Sequence, residues 1–236
     1  MKKYLKRIYD KSKQQYFKLL QKDLKNNNKK FIITVNPESL MNAINDDELN
    51  EMLLDKDTSL VPDGISIVKA CQILNIPVTE RITGIDISKY LLEEANEQKK
   101  SIYLFGAKKD VIKDLVDKIK IEYPNIIILG YSDGYVKDRD KVFNKIIKLK
   151  PDICLVALGI PYQEKLIYKH LDSFDKGIFV GVGGSFDVLS GQKKRAPKIF
   201  IKLNLEWFYR IVTEPKRLKR FWNNNIKFII KIRKEK

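Results

Sequence analysis

The segment Val-Pro-Asp63-Gly64 places a carboxylate at the opening of the helical pattern ISIVKACQIL, where it can take a proton from an attacking hydroxyl. An ordinary N-cap, worth about 1 kcal/mol, accounts for the same residue. Its place at a helix start predicts a lowered pKa, and so an Asp63 that is ionised at neutral pH and weakly basic. Thr34-Val-Asn36-Pro-Glu-Ser ends an apolar run in side chains that hydrogen-bond either a polar ligand or a turn of their own backbone. In GVGGSFD, from Gly181 to Asp187, the backbone N–H groups around Gly183 and Gly184 can cradle a diphosphate. That run matches neither GxGxxG nor the P-loop, so it names no cofactor. LFGAKKD sets Gly106 before two lysines, and GIPYQE supplies Gln163, able to bond a sugar or a base or to cap a helix.

Two further patterns exclude chemistry. Asp138-Arg139-Asp140 has the spacing of a metal-holding DxD triplet, but it opens a charged helix and reads as a solvated face; no metal and no cofactor is expected. His170 is the sole histidine, in the helix EKLIYKHL with no Ser, Cys or carboxylate pattern nearby, which excludes a histidine-centred triad and a multi-histidine metal site outright.

The elements that must position these groups follow from hydrophobic patterning. Six β-rich runs recur, at Phe31–Thr34, Ser59–Val61, Ile102–Phe105, Ile126–Leu129, Ile153–Leu158 and Ile178–Val182, with helical patterns between them. This predicts an α/β fold, a Rossmann-like, mostly parallel sheet with helices on both faces, followed by a basic helical C-terminal appendage. One helix is expected from Pro37 to about Leu54, another after a Thr83/Asp86 cap, and a third from near Lys108 to Tyr123-Pro124. Every chemical motif above falls at the carboxyl end of a strand, where helix N-termini converge in such sheets.

The formal net charge of +16 is unevenly spread: residues 1–30 sum to +9, residues 192–236 to +12, and the stretch between to −5. The chain divides accordingly into a basic helical segment (1–30), an α/β catalytic domain (31–191) and a basic appendage (192–236). In the last, Leu218, Phe221, Trp222, Ile226, Ile229 and Ile230 fall near helical spacing among lysines and arginines, a pattern shared by interfacial membrane helices and by helices packed on a body. Cys71 and Cys154 lie in apolar runs without metal or redox spacing and read as buried thiols of a cytosolic protein. Apolar runs are strand-sized, so the chain is expected to touch a membrane without crossing it. No RRM, zinc-finger or helix-turn-helix pattern supports the rival reading, a non-catalytic nucleic-acid-binding protein.

Taken in order, TVNPES, VPDGISIV, ERITGID, LFGAKKDV, LVALGIPYQE, GVGGSFDVLSG, KKRAP and LEWFYRIVTEPKRLKRFW resemble the bacterial WecG/TagA/CpsF glycosyltransferases over about Phe31 to Trp222. The resemblance implies an inverting, metal-independent transferase of surface-polysaccharide synthesis, peripherally bound at the inner face of the membrane. In its teichoic-acid members it implies transfer of N-acetylmannosamine from UDP to undecaprenyl-diphosphate-linked N-acetylglucosamine in β-1,4 linkage. The same enzyme type with UDP-glucose, UDP-galactose or a mannosaminuronic acid donor, in capsule or exopolysaccharide assembly, is the near alternative. Asp63 is then the general base, and Thr34 lies in the catalytic pocket. Arg210, Arg217 and Arg220 close over the site and hold diphosphate at an anionic membrane. Asn36, Arg81 and Gln163 are candidates for sugar or nucleotide, and Gly106, Gly183, Gly184 and Arg195 complete the substrate-binding set. Nucleic acid is not an expected partner, and the oligomeric state is left open.

Overall fold

The computed structural model describes residues 1–235, apart from the side chains of Arg217 and Arg220. Six parallel strands form one sheet: β1 (Lys29–Val35), β2 (Thr58–Pro62), β3 (Ser101–Gly106), β4 (Ile127–Ser132), β5 (Ile153–Ala157) and β6 (Gly177–Gly181), in the order β2-β1-β6-β5-β3-β4. All six apolar runs become strands, to within a few residues at each end. Because side chains alternate along a strand, each strand feeds two cores. Phe31, Ile33, Val35, Tyr103, Phe105, Cys154, Val156 and Phe179 face one side. Ile32, Ile102, Leu104, Ile153, Leu155, Ile178 and Val180 face the other.

Helices cover both faces. Ile65–Ile73, Arg139–Leu149 and Tyr162–His170 contribute to the first core, through Ile67, Phe143 and Ile167 among others. Lys13–Lys25, Gly84–Glu97 and Lys109–Glu122 pack into the second through residues such as Leu20, Leu91 and Leu115. Thr83 caps its helix by accepting from the Asp86 N–H at 3.3 Å, as its spacing predicts. The helix expected from Pro37 to Leu54 is instead two, Pro37–Asn42 and Asp47–Leu54. Asp46 accepts the Leu49 N–H at 3.1 Å and starts the second, so the cap overrides the continuous apolar spacing.

The two basic ends are not peripheral to this architecture. Tyr4, Leu5 and Ile8 are buried in the first core, and the Tyr9 N–H donates to the Leu60 carbonyl at 2.9 Å, covering the outer edge of β2. After residue 192 come Lys198–Lys202, Glu206–Thr213 and Arg217–Phe221, then a wide π turn over Trp222–Ile226 and the helix Lys227–Lys234. Phe228 and Ile232 of the last helix have no exposed surface and join the first core. The residues that face the body, Phe228 and Ile232, lie outside the apolar stripe expected there; of that stripe Ile229 packs against the core, while Leu218, Trp222 and Ile230 remain exposed. Among the described residues, no helix is long and apolar enough to cross a membrane.

Candidate functional site

A cavity of about 770 Å³ opens at the carboxyl ends of β1, β2, β5 and β6 and is roofed by residues from the appendage. Register builds its floor. Thr34 pairs with Val61 and Val35 with Pro62, so the residues leaving β1 and β2 emerge side by side. The Asp63 N–H donates to the Val35 carbonyl at 2.7 Å, holding the turn.

Asp63 is not a cap. The N-cap of Ile65–Ile73 is Gly64, at φ +99°, a backbone conformation that L side chains rarely adopt, and no side chain caps that helix. Among the described residues, none donates a hydrogen bond to the Asp63 carboxylate, which is half-buried at the cavity wall. Loss of water pushes its pKa up, against the pull of Arg210; with Glu206 and Asp86 raising it and Arg81 lowering it, the value reaches about 6. This corrects the lowered pKa expected from its place at a helix start: the desolvation penalty exceeds what the helix end supplies. Deprotonated at neutral pH, Asp63 is a stronger base than an ordinary aspartate.

Around it the sequence-derived candidates fall into two groups. Thr34, Asn36, Arg81, Gln163, Gly183, Gly184, Arg195 and Arg210 all line the cavity. Several are already engaged. Thr34 Oγ1 donates to the Gly181 carbonyl at 3.3 Å, tying β1 to β6. Asn36 forms a reciprocal capping box with Ser39, at 3.0 Å in each direction. Arg195 pairs with Asp86 at 2.7 Å, which holds the Asp86 carboxyl below its usual range despite burial. Gly106 is not in the cavity wall: a Cβ there would lie 2.3 Å from the Ala157 carbonyl oxygen, so this glycine serves close strand packing, and its neighbour Ala107 lines the cavity instead. The side chains of Arg217 and Arg220 lie outside the described residues.

Gln163 is buried, and its Oε1 accepts the N–H groups of both Gly159 and Gly183 at 3.1 Å. One amide thus clamps the turns that follow β5 and β6. Its Nε2 donates to Glu164 Oε1 at 2.7 Å, which fixes which way the amide faces. Burial raises the Glu164 pKa to about 7. The Gly183 N–H is therefore taken by Gln163, so that glycine shapes the cradle without supplying its own N–H to a phosphate.

Three residues of this site escaped the sequence reading: Glu164, Gly159 and Glu206. Glu206 offered one signal, an acid four residues before Arg210 in a segment dominated by lysine and arginine. The DxD triplet is consumed structurally. Asp138 caps Arg139–Leu149, and Asp140 pairs with Lys169 at 2.8 Å and with His170 at 2.7 Å. Among the described residues, no group of three His, Cys, Asp or Glu side chains is placed to share a metal ion.

Residues 4–236 match the model of the "Glycosyl transferase WecG/TagA/CpsF family". Among curated proteins, the chain is 51% identical over 189 residues to the N-acetylglucosaminyldiphosphoundecaprenol N-acetyl-beta-D-mannosaminyltransferase of Bacillus subtilis (strain 168), covering 80% of this chain and 73% of that one. It is 43% identical to the protein of the same name from Bacillus spizizenii (strain ATCC 23059 / NRRL B-14472 / W23), over 80% and 74% of the two chains. A third of that name, from Staphylococcus aureus (strain NCTC 8325 / PS 47), is 38% identical over 89% of this chain and 82% of its own.

Proposed function

This chain belongs to the WecG/TagA/CpsF glycosyltransferase family, and from that premise we propose that it transfers N-acetylmannosamine from UDP-N-acetylmannosamine to undecaprenyl-diphosphate-linked N-acetylglucosamine, forming a β-1,4 linkage in teichoic-acid or related surface-polysaccharide synthesis. The name borne by its relatives supports the acceptor and the transferred sugar. The observation that carries the mechanism is Asp63, a carboxylate in the cavity wall to which no described residue donates a hydrogen bond.

In this reading the acceptor hydroxyl loses its proton to Asp63 while its oxygen forms a bond to the anomeric carbon. The bond from that carbon to the UDP oxygen breaks on the opposite face, so configuration inverts. Charge growing on the departing diphosphate is met by Arg81 and Arg210, whose guanidinium forks match phosphate oxygens, and by the lysines Lys193 and Lys194 on the same wall. With that much fixed positive charge at the leaving group, transfer is proposed to run without a divalent cation. Asn36 and Thr34 sit where sugar hydroxyls would lie beside the base.

The appendage presents Trp207, Phe208, Leu218, Trp222 and Ile230 to the outside, together with many basic residues. We read it as the surface that docks on an anionic leaflet and brings the cavity to the lipid-borne diphosphate. Each basic residue near such a surface contributes about 1 kcal/mol.

Transfer assayed with UDP-N-acetylmannosamine and a short-chain lipid-diphosphate acceptor tests the base. Asp63→Asn, with folding intact, is expected to lose about 10²–10⁴-fold in rate. In the wild type kcat/KM should rise with pH through about 6, as Asp63 gives up its proton. Unchanged turnover in Asp63→Asn would remove Asp63 from the mechanism.

A further inference from the structure

Arg81 and Arg210 come to the cavity from two parts of the chain. Arg81 lies in the loop before Gly84–Glu97 of the body, and Arg210 stands on Glu206–Thr213 of the appendage. Between them is Glu206, 5% exposed. Its Oε2 lies 3.3 Å from Arg81 Nη1 and its Oε1 2.8 Å from Arg210 Nη2. Arg81 Nη2 also donates to the Ile201 carbonyl at 3.3 Å. A guanidinium carries five donors in a rigid fork, so both arginines keep N–H groups for a ligand while their orientation is set by one carboxylate.

Burying that carboxylate is costly unless it is fully paired, and here it also lies near a second carboxylate, Asp63, whose ionisation it opposes. A neutral glutamine of the same shape could accept from only one of the two arginines, because its amide nitrogen would face a guanidinium that has no acceptor. Both carboxylate oxygens are thus needed for one side chain to orient the two guanidinium groups.

We infer that Glu206 is a positioning residue: it aligns Arg81 and Arg210 toward the diphosphate of a bound sugar nucleotide and holds a negative charge beside Asp63. This rests on the sugar-transfer reading above. Among the described residues, the charged groups that act on Asp63 are Arg210, Glu206, Arg81 and Asp86. The charge of Asp86 is offset by Arg195 and by Lys13. Removing the Glu206 charge leaves Arg81 and Arg210 acting on Asp63 with less opposition, so the Asp63 proton should leave at lower pH.

The test uses the full chain and two readouts that need no turnover. One is the ¹³C-carboxyl titration of Asp63, assigned by comparison with Asp63→Asn; the other is calorimetric titration with UDP. In Glu206→Gln the Asp63 midpoint should fall by about one pH unit, the order expected of one neighbouring charge. UDP binding should weaken roughly five- to tenfold, because charge-assisted alignment of two arginines is lost. Glu206→Asp keeps the charge but draws it back, so UDP binding should weaken while the Asp63 midpoint stays near that of the wild type. The inference is overturned if Glu206→Gln leaves both readouts unchanged, or if it tightens UDP binding, which would make Glu206 a competitor of the diphosphate. Should Glu206→Gln fail to fold, Glu206→Asp decides alone: weakened UDP binding with the midpoint retained supports the assignment, and wild-type affinity defeats it. If these titrations behave as expected while the wild type transfers no sugar, the transfer reading falls and the positioning role stands.

Discussion

The sheet and the appendage bury apolar surface in opposite ways. Every residue of β5 and β6 is buried, and each strand serves two cores at once. In the appendage, Lys198–Lys202 has no buried residue, Glu206–Thr213 buries only Glu206, and the large apolar side chains Trp207, Phe208, Leu218 and Trp222 are exposed. The sheet satisfies itself, whereas the appendage turns Glu206, Trp207, Tyr209 and Phe221 toward the cavity and leaves Phe208, Leu218 and Trp222 exposed. Such exposure is what the proposed docking on a lipid surface asks of a segment whose apolar partner is not protein.

Substitutions in the two regions should therefore fail in different assays. Phe179→Ala, in the middle of β6, is expected to cost about 3–5 kcal/mol in denaturant unfolding. Trp222→Ala should change that stability by no more than about 0.5 kcal/mol. It should instead weaken co-sedimentation with anionic vesicles by roughly tenfold or more, the order of about 1.5–3 kcal/mol for one large apolar side chain leaving an apolar surface. Equal vesicle binding in Trp222→Ala and wild type would break the contrast. Cutting the chain after Gly191 is a poorer probe, because it also removes Phe228 and Ile232 from the core.

A smaller effect sharpens the comparison at the boundary. The pKa of Asp63 is raised on folding, so between about 4 and 6 the folded state holds a proton that the unfolded state has lost. That contribution is favourable below this window and is lost as pH rises through it. Stability measured against pH for wild type and Asp63→Asn should diverge there, with the variant gaining relative to the wild type toward neutral pH. Parallel curves would mean that the cavity does not desolvate this carboxylate. Smallest of all, chelation by EDTA is expected to leave the transfer rate unchanged; a rate restored by added magnesium would contradict cation-free catalysis.

Much of the framework was legible because strand alternation and turn residues are local signals. The six apolar runs, the Thr83 cap and the end of the Lys109–Glu122 helix needed no knowledge of the fold. What escaped depends on neighbours distant in sequence. Asp63 looks like a cap until Gly64 is seen to occupy that place, and its pKa turns upward chiefly because the cavity strips its water. Gly106 resembles a phosphate-loop glycine in a linear reading, yet its constraint is the Ala157 backbone on the adjacent strand. Phe228 and Ile232 were hidden because the last helix carries two apolar faces, and spacing alone does not say which meets the body.

The burial of Phe228 and Ile232 has a mechanical consequence. The stretch from Lys198 to Ile226 leaves the body near the cavity and is fastened again at Phe228, so it behaves as a hoop and not as a free arm. With its endpoints already fixed, re-forming its cavity contacts after each catalytic cycle incurs little further loop-closure entropy. The arc length of the hoop bounds how far the aromatics on its outer side can travel.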